Sequence, residues 1–243
     1  MRFQASFASW MAALAALVVF GGVSGHAQSS SSTQSPQIEP TQPAPAPAYV
    51  VIDPLANVRY DNRYDVSLGA AYGHLKAGPP PLQQGANLGG LDFDASYWLT
   101  KHWGLEGTGR AYVGTSGAAV NAFNIEGPFV SEYIFAGGGE WLGPHNKHGA
   151  FLAHAMVGGA HGIFEHDLRG HSPETVEFFN DQTGLAAVIG GHIDLNRTPR
   201  WVLRITPDAK YTRYSIDYGN RDTYGYWNFA LSVGVEYKFK KKR

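Results

Sequence analysis

The stretch that most constrains the fold is Trp227 to Phe239, because it alternates without a break. Phe229, Leu231, Val233, Val235, Tyr237 and Phe239 fall on one face, and Ala230, Ser232, Gly234, Glu236 and Lys238 on the other. A period of two marks a β-strand with one apolar and one polar side. At roughly ten residues or more it is also long enough to cross a bilayer at a tilt. If several more strands share its length, its two faces and its aromatic lower end, the chain is a membrane barrel.

Seven upstream segments repeat the unit. They are predicted at Tyr64 to Leu75, Leu88 to Leu99, Trp103 to Val113, Pro128 to Trp141, Gly149 to Ile163, Thr183 to Leu195 and Arg200 to Tyr214. Gly137-Gly138-Gly139 and Pro207 predict bulges in the fourth and seventh. The breaks after strands one, three, five and seven (76–87, 114–127, 165–182 and 215–226) read as long, and those after two, four and six as short. Short turns at one end and long loops at the other are the pattern of outer-membrane barrels, and an even strand count returns both ends to the periplasmic side.

The N-terminus supports export. Arg2, the apolar run Trp10 to Phe20, and small residues at Gly25 and Ala27 predict a secretory signal peptide over 1–27; the apolar run itself is too short to span a bilayer as a helix. Residues 28–59, rich in Ser, Gln and Pro, cannot bury a core and read as a disordered linker. The barrel is expected over 60–239, followed by a basic tail, 240–243. With no Cys there is no disulfide, thiolate metal site or cysteine nucleophile, and a net charge of -1 gives no reason to expect nucleic acid.

Alternation alone does not say which face is inside, since a soluble lipocalin-like barrel alternates too. Two features favour lipid on the apolar side. The polar face is built largely of small residues such as Gly184, Ala186, Gly190, Ala230, Ser232 and Gly234, where a water-facing surface would carry far more Lys and Glu. The apolar face carries Tyr97, Trp103, Trp141, Phe151, Trp201, Tyr237 and Phe239 toward the short turns, as an interfacial aromatic girdle would.

With its signal, eight strands and closing Val233-Gly234-Val235-Glu236-Tyr237-Lys238-Phe239, the chain resembles the small OmpA/OmpX-type outer-membrane β-barrel family. The resemblance implies an all-β, eight-stranded antiparallel up-and-down transmembrane barrel in the cell outer membrane. It implies contact with outer-membrane lipid and lipopolysaccharide. It also implies recognition of the last strand, ending at Phe239, by the barrel assembly machinery.

On this assignment Asp92, Asp94, Glu106, Arg110, Glu132, His192, Asp194, Arg204, Asp208, Lys210, Glu236 and Lys238 point into the lumen. Eight strands leave room inside for little more than side chains, so these charges are expected to form an ion-paired plug rather than line a pore. No nucleophile elbow is present, and His171-Ser172 is merely adjacent, so no enzyme is expected. His161, His166, Asp167 and His171 gather near the longest loop without spacing that fixes a metal, and neither metal nor cofactor is expected. The reading is a monomeric structural or surface-interaction barrel. The alternatives are a narrow conduit for small solutes and a soluble secreted ligand-binding barrel.

Overall fold

The structure, a computed structural model, describes residues 53–239. The expected signal peptide, most of the expected linker (28–52) and the basic tail lie outside the described residues. Among the described residues eight strands close a barrel in chain order, each antiparallel to its neighbours, with β8 returning to β1. The strands are β1 (Tyr64–Lys76), β2 (Gly85–Trp98), β3 (Trp103–Ser116), β4 (Phe129–His145), β5 (Gly149–Ile163), β6 (Gln182–Asn196), β7 (Trp201–Asp217) and β8 (Arg221–Lys238). A single helical turn, α1 (Pro173–Val176), interrupts the connection between β5 and β6.

Period-two alternation sets every strand's orientation, and it does so inside out relative to a soluble barrel. Leu68, Leu91, Phe93, Leu105, Phe135, Val157, Leu185, Ile189, Phe229, Val233 and Val235 are exposed, while Asp92, Glu106, Arg110, Asp194, Arg204 and Glu236 are buried. The barrel is sewn shut at Gly69 and Gly234, which lie opposite each other where β1 meets β8. A Cβ on Gly234 would stand 2.2 Å from the Leu68 carbonyl oxygen, so the closure needs a residue without one.

Three sequence expectations are corrected. The break predicted over 215–226 is mostly strand: β7 and β8 pair up to Asp217 and Arg221, joined by Tyr218-Gly219-Asn220 with Gly219 at φ +92°. Tyr and Thr along 223–226 suit a strand and find partners in Ser215, Tyr214, Arg213 and Thr212. The long outer connections are therefore 77–84, 117–128 and 164–181, beside one projecting hairpin.

The triple glycine Gly137-Gly138-Gly139 keeps register with both neighbours. The shift in β4 falls instead between Leu142 and His145, around Gly143-Pro144. Pro207 makes no register shift either. Its strand omits two partners on the β6 side, between Gly190/Asp208 and Ile193/Ile205, and the same register resumes beyond. A proline without an N–H simply loses a rung there.

Candidate functional site

The interior divides into three levels. At the long-loop end it is apolar. Leu75, Leu88, Val130 and Ile134 of the strands meet Phe164, Leu168, Phe178 and Phe179 of the 164–181 connection, all buried. Phe164 packs edge-on against Phe179 and Tyr214, at centroid distances of 5.8 and 5.0 Å. The longest loop thus folds its aromatics down onto the barrel mouth and closes it.

The middle is charged. Arg110 pairs with Asp92 at 3.1 Å and with Asp208 at 2.6 Å. Asp208 in turn meets His154 Nε2 at 2.9 Å, and His154 Nδ1 meets Glu106 at 3.0 Å. His192 Nε2 lies 3.1 Å from the same Glu106. Just above, Lys210 is paired with Glu132 and lies over the Tyr112 ring at 4.4 Å, while the Tyr214 hydroxyl donates to Glu132 at 3.0 Å. Ser232 and Ser67 donate to Asp92 and Asp94 at 2.7 and 3.0 Å.

At the short-turn end Arg204 holds Asp194 and Glu236, at 2.9 and 3.1 Å. Below it a cavity of about 340 Å³ is lined by Tyr60, Asp65, Trp98, Leu142, Leu152, Asp194, Glu236 and Lys238 among others. Tyr60 is held against its neighbours there. Its hydroxyl accepts from Asn196 Nδ2 at 2.7 Å and donates to the Asn146 carbonyl at 3.1 Å, and Lys238 Nζ sits 4.3 Å from its ring centroid. Burial there pushes the Tyr60 pKa above its ordinary value. Asp53, farther out, pairs with Lys147 of the β4–β5 turn at 2.9 Å, so 53–59, expected within the linker, is tied to the barrel end.

Small residues on the inner face make room for this packing. Gly190 lies opposite Asp208, and a Cβ on it would stand 1.9 Å from Asp208 Oδ1. The same accounting explains why the polar face reads as glycine, alanine and serine between charges.

All twelve residues predicted to face the lumen are buried. The sequence reading missed Asp65, Glu140 and His154, which are buried with them. Parity was the available signal, because Glu140 shares a strand face with Glu132, and His154 sits between Leu152 and Met156. Counted together, nine buried carboxylates (Asp65, Asp92, Asp94, Glu106, Glu132, Glu140, Asp194, Asp208 and Glu236) face four basic side chains, Arg110, Arg204, Lys210 and Lys238.

Of the predicted girdle, Trp103, Trp141, Phe151, Trp201 and Phe239 are exposed, and Tyr97 and Tyr237 are half-buried. Several face each other across strands: Tyr64 with Tyr97, Trp103 with Trp141, and Trp201 with Tyr237. The loop histidines do not converge. His161 meets Thr183 at 3.0 Å, His166 meets its neighbour Asp167 at 3.1 Å, and His171 packs on Phe123.

No family model matches the sequence, and no curated protein matches it. Among solved structures, the outer membrane protein OprG from Pseudomonas aeruginosa is similar at 13% identity and a TM-score of 0.53, covering 76% of this chain and 99% of that one. Neisserial surface protein A matches at 16% identity and 0.46, over 72% and 97%. Ail, the attachment invasion locus protein of Yersinia pestis, matches at 16% and 0.43, over 73% and 99%. With OprG as the comparison, and with the closed eight-stranded topology above, the chain has the fold of the small outer-membrane β-barrels.

Proposed function

We propose that the protein is a monomeric, non-conducting barrel of the cell outer membrane with a structural or surface-interaction role, and not an enzyme. The observation that carries this is the inverted sidedness: large apolar side chains stand on the outside of every strand while acidic, basic and other polar side chains fill the inside. In water that arrangement would expose a continuous apolar belt, which soluble monomers avoid. In a bilayer it satisfies both solvents, with the closed ladder leaving no backbone edge.

The belt has the right height. On β8 the outward positions from Trp227 to Tyr237 hold Phe229, Leu231, Val233 and Val235 between two aromatics. Ten residues at about 3.3 Å each, tilted about 40°, give roughly 25 Å, the height of an outer-membrane apolar band. Tyr97, Trp103, Trp141, Phe151, Trp201, Tyr237 and Phe239 then act as the periplasmic girdle. Contacts with lipid and lipopolysaccharide fall on this belt, and Phe239 serves the assembly machinery. A signal over 1–27 and a periplasmic linker complete the reading.

The ion pairs of the middle level and the aromatic plug above them occupy the lumen, so surface interaction falls to the outer loops and the β7–β8 hairpin. Planar-bilayer recording on the folded full-length protein tests this. The expectation is a verified folded barrel with no step conductance. Reproducible unitary steps would establish the conduit instead.

A further inference from the structure

We propose that Glu106, Glu140, His154 and His192 form a binding site for a divalent first-row transition-metal ion, with zinc as its reference ligand, buried in the middle of the barrel. The four side chains come from the four consecutive strands β3, β4, β5 and β6. Glu140 and His154 lie directly opposite each other in the β4–β5 ladder, while Glu106 faces Gly138 and His154 faces Gly190. The glycines leave the cross-barrel space that the longer side chains occupy.

Each imidazole is held by its outer nitrogen and presents its inner one. His154 Nε2 rests on Asp208 at 2.9 Å, and His192 Nδ1 on Thr206 Oγ1 at 2.8 Å. The inner atoms, His154 Nδ1 and His192 Nε2, are 3.1 Å apart, and the Glu106 carboxylate straddles them at 3.0 and 3.1 Å. Histidines that bind metal are oriented in this manner, the far nitrogen tied to a carboxylate or another polar group. A tetrahedral ion with bonds of about 2.0–2.1 Å needs its ligand atoms about 3.3 Å apart; the two nitrogens, 3.1 Å apart, stand within a few tenths of an ångström of that spacing, with one Glu106 oxygen beside each. Among the described residues this trio is the one group of His and acidic side chains whose ligand atoms lie mutually within 4.8 Å.

Two observations point to a cation at this place. Glu140 is fully buried, and neither of its carboxylate oxygens has a hydrogen-bond partner among the described residues; one lies 3.8 Å from His192 Nε2, aimed at the trio. A buried carboxylate without partners is costly unless a proton or a metal completes it. The interior also holds nine carboxylates against four Arg and Lys side chains, a surplus that a divalent ion reduces where Glu106 and Glu140 approach each other. Imidazole nitrogens with carboxylate oxygens suit zinc and its neighbours rather than calcium or magnesium.

The test uses the full chain, free of any polyhistidine tag, folded in detergent micelles and shown to be folded by heat-modifiable gel mobility. After chelator treatment it is titrated with cobalt(II) as spectroscopic probe and then with zinc. The expected result is one cobalt per folded barrel, with the intense visible absorption of a four-coordinate site, displaced by zinc. Glu140→Gln, which breaks no hydrogen bond, should weaken cobalt affinity at least tenfold, and His154→Ala/His192→Ala should abolish the spectrum. If the double variant does not fold, Glu140→Gln decides. Folded protein that takes up no cobalt, or a Glu140→Gln barrel that binds it unchanged, overturns the proposal.

Discussion

Arg204 and Asp194 face each other across the β6–β7 ladder and meet through two parallel hydrogen bonds, Nε to Oδ1 at 2.9 Å and Nη2 to Oδ2 at 3.1 Å. Glu236, on the other side, shares the same guanidinium at 3.1 Å. A fork of this geometry is the strongest form of ion pair, and here it ties three strands at the base of the lumen.

Removing the guanidinium leaves two buried carboxylates uncompensated. Arg204→Met should therefore destabilise the folded barrel by about 3–5 kcal/mol, whereas Arg204→Met combined with Asp194→Leu should cost clearly less than the two single changes added together. Urea unfolding in lipid vesicles measures all three. Strict additivity would show that the pair is not coupled.

The outward apolar belt, read as lipid-facing, makes an opposite prediction to that of any soluble barrel. Val233 is exposed and lies between Trp227 and Tyr237 on β8. Replacing it with Arg should cost about 2–4 kcal/mol when the barrel folds into a bilayer, the penalty for a cation near the midplane. In a water-facing strand the same change is nearly neutral, within about 0.5 kcal/mol. Vesicle unfolding of Val233→Arg distinguishes the two.

Most of the architecture could be read from the chain because period-two alternation is a local property that tertiary packing here does not override. The strand faces, the closing β8 and the burial of Glu106, Arg110 and Arg204 all follow from parity. What alternation could not carry was register and strand ends. Tyr224 and Tyr226 looked like loop residues until Tyr214 and Thr212 were known to pair with them. Pro207 and the triple glycine looked like bulges, yet a neighbouring ladder can absorb a lost rung or a missing side chain without shifting. The apolar plug was invisible for a different reason: Phe178 and Phe179 lie in a loop without periodicity, and their burial depends on the loop folding back into the mouth. His154 and Glu140 were left out of the lumen although parity puts them on the inner face, and their meeting with His192 and Glu106 joins residues far apart in sequence.

Gly190 is the test of how tightly the inner face is packed. A side chain there collides with Asp208 Oδ1 and with the Pro207 carbonyl, at 1.9 and 2.5 Å from an ideal Cβ. Gly190→Val should push the Asp208 carboxylate off His154 and destabilise the barrel by about 1–3 kcal/mol, the usual cost of overpacking. Denaturant midpoints report the change, and a variant as stable as the parent would mean that the strands spread to absorb it.

At the turn end, the hydrogen bond from Lys147, followed by that from the Leu55 backbone N–H, holds the Asp53 pKa below the ordinary aspartate value. A depressed carboxylate favours the folded arrangement above its unfolded value and loses that contribution as pH falls through the folded one. The tie between 53–59 and the β4–β5 turn should therefore loosen only in acid, below the ordinary aspartate range. Lys147→Ala should return Asp53 toward that range in an NMR titration of its carboxyl carbon. Because the pair is solvent-exposed, global stability should barely change.

The central claim is that the apolar face meets lipid, and membrane fractionation followed by gel mobility tests it most directly. The account predicts that the full-length protein, expressed in a Gram-negative host, remains with the outer membrane. It also predicts that an unheated sample in mild detergent migrates differently from a boiled one. Release with the periplasmic contents, with identical mobility before and after boiling, would contradict it.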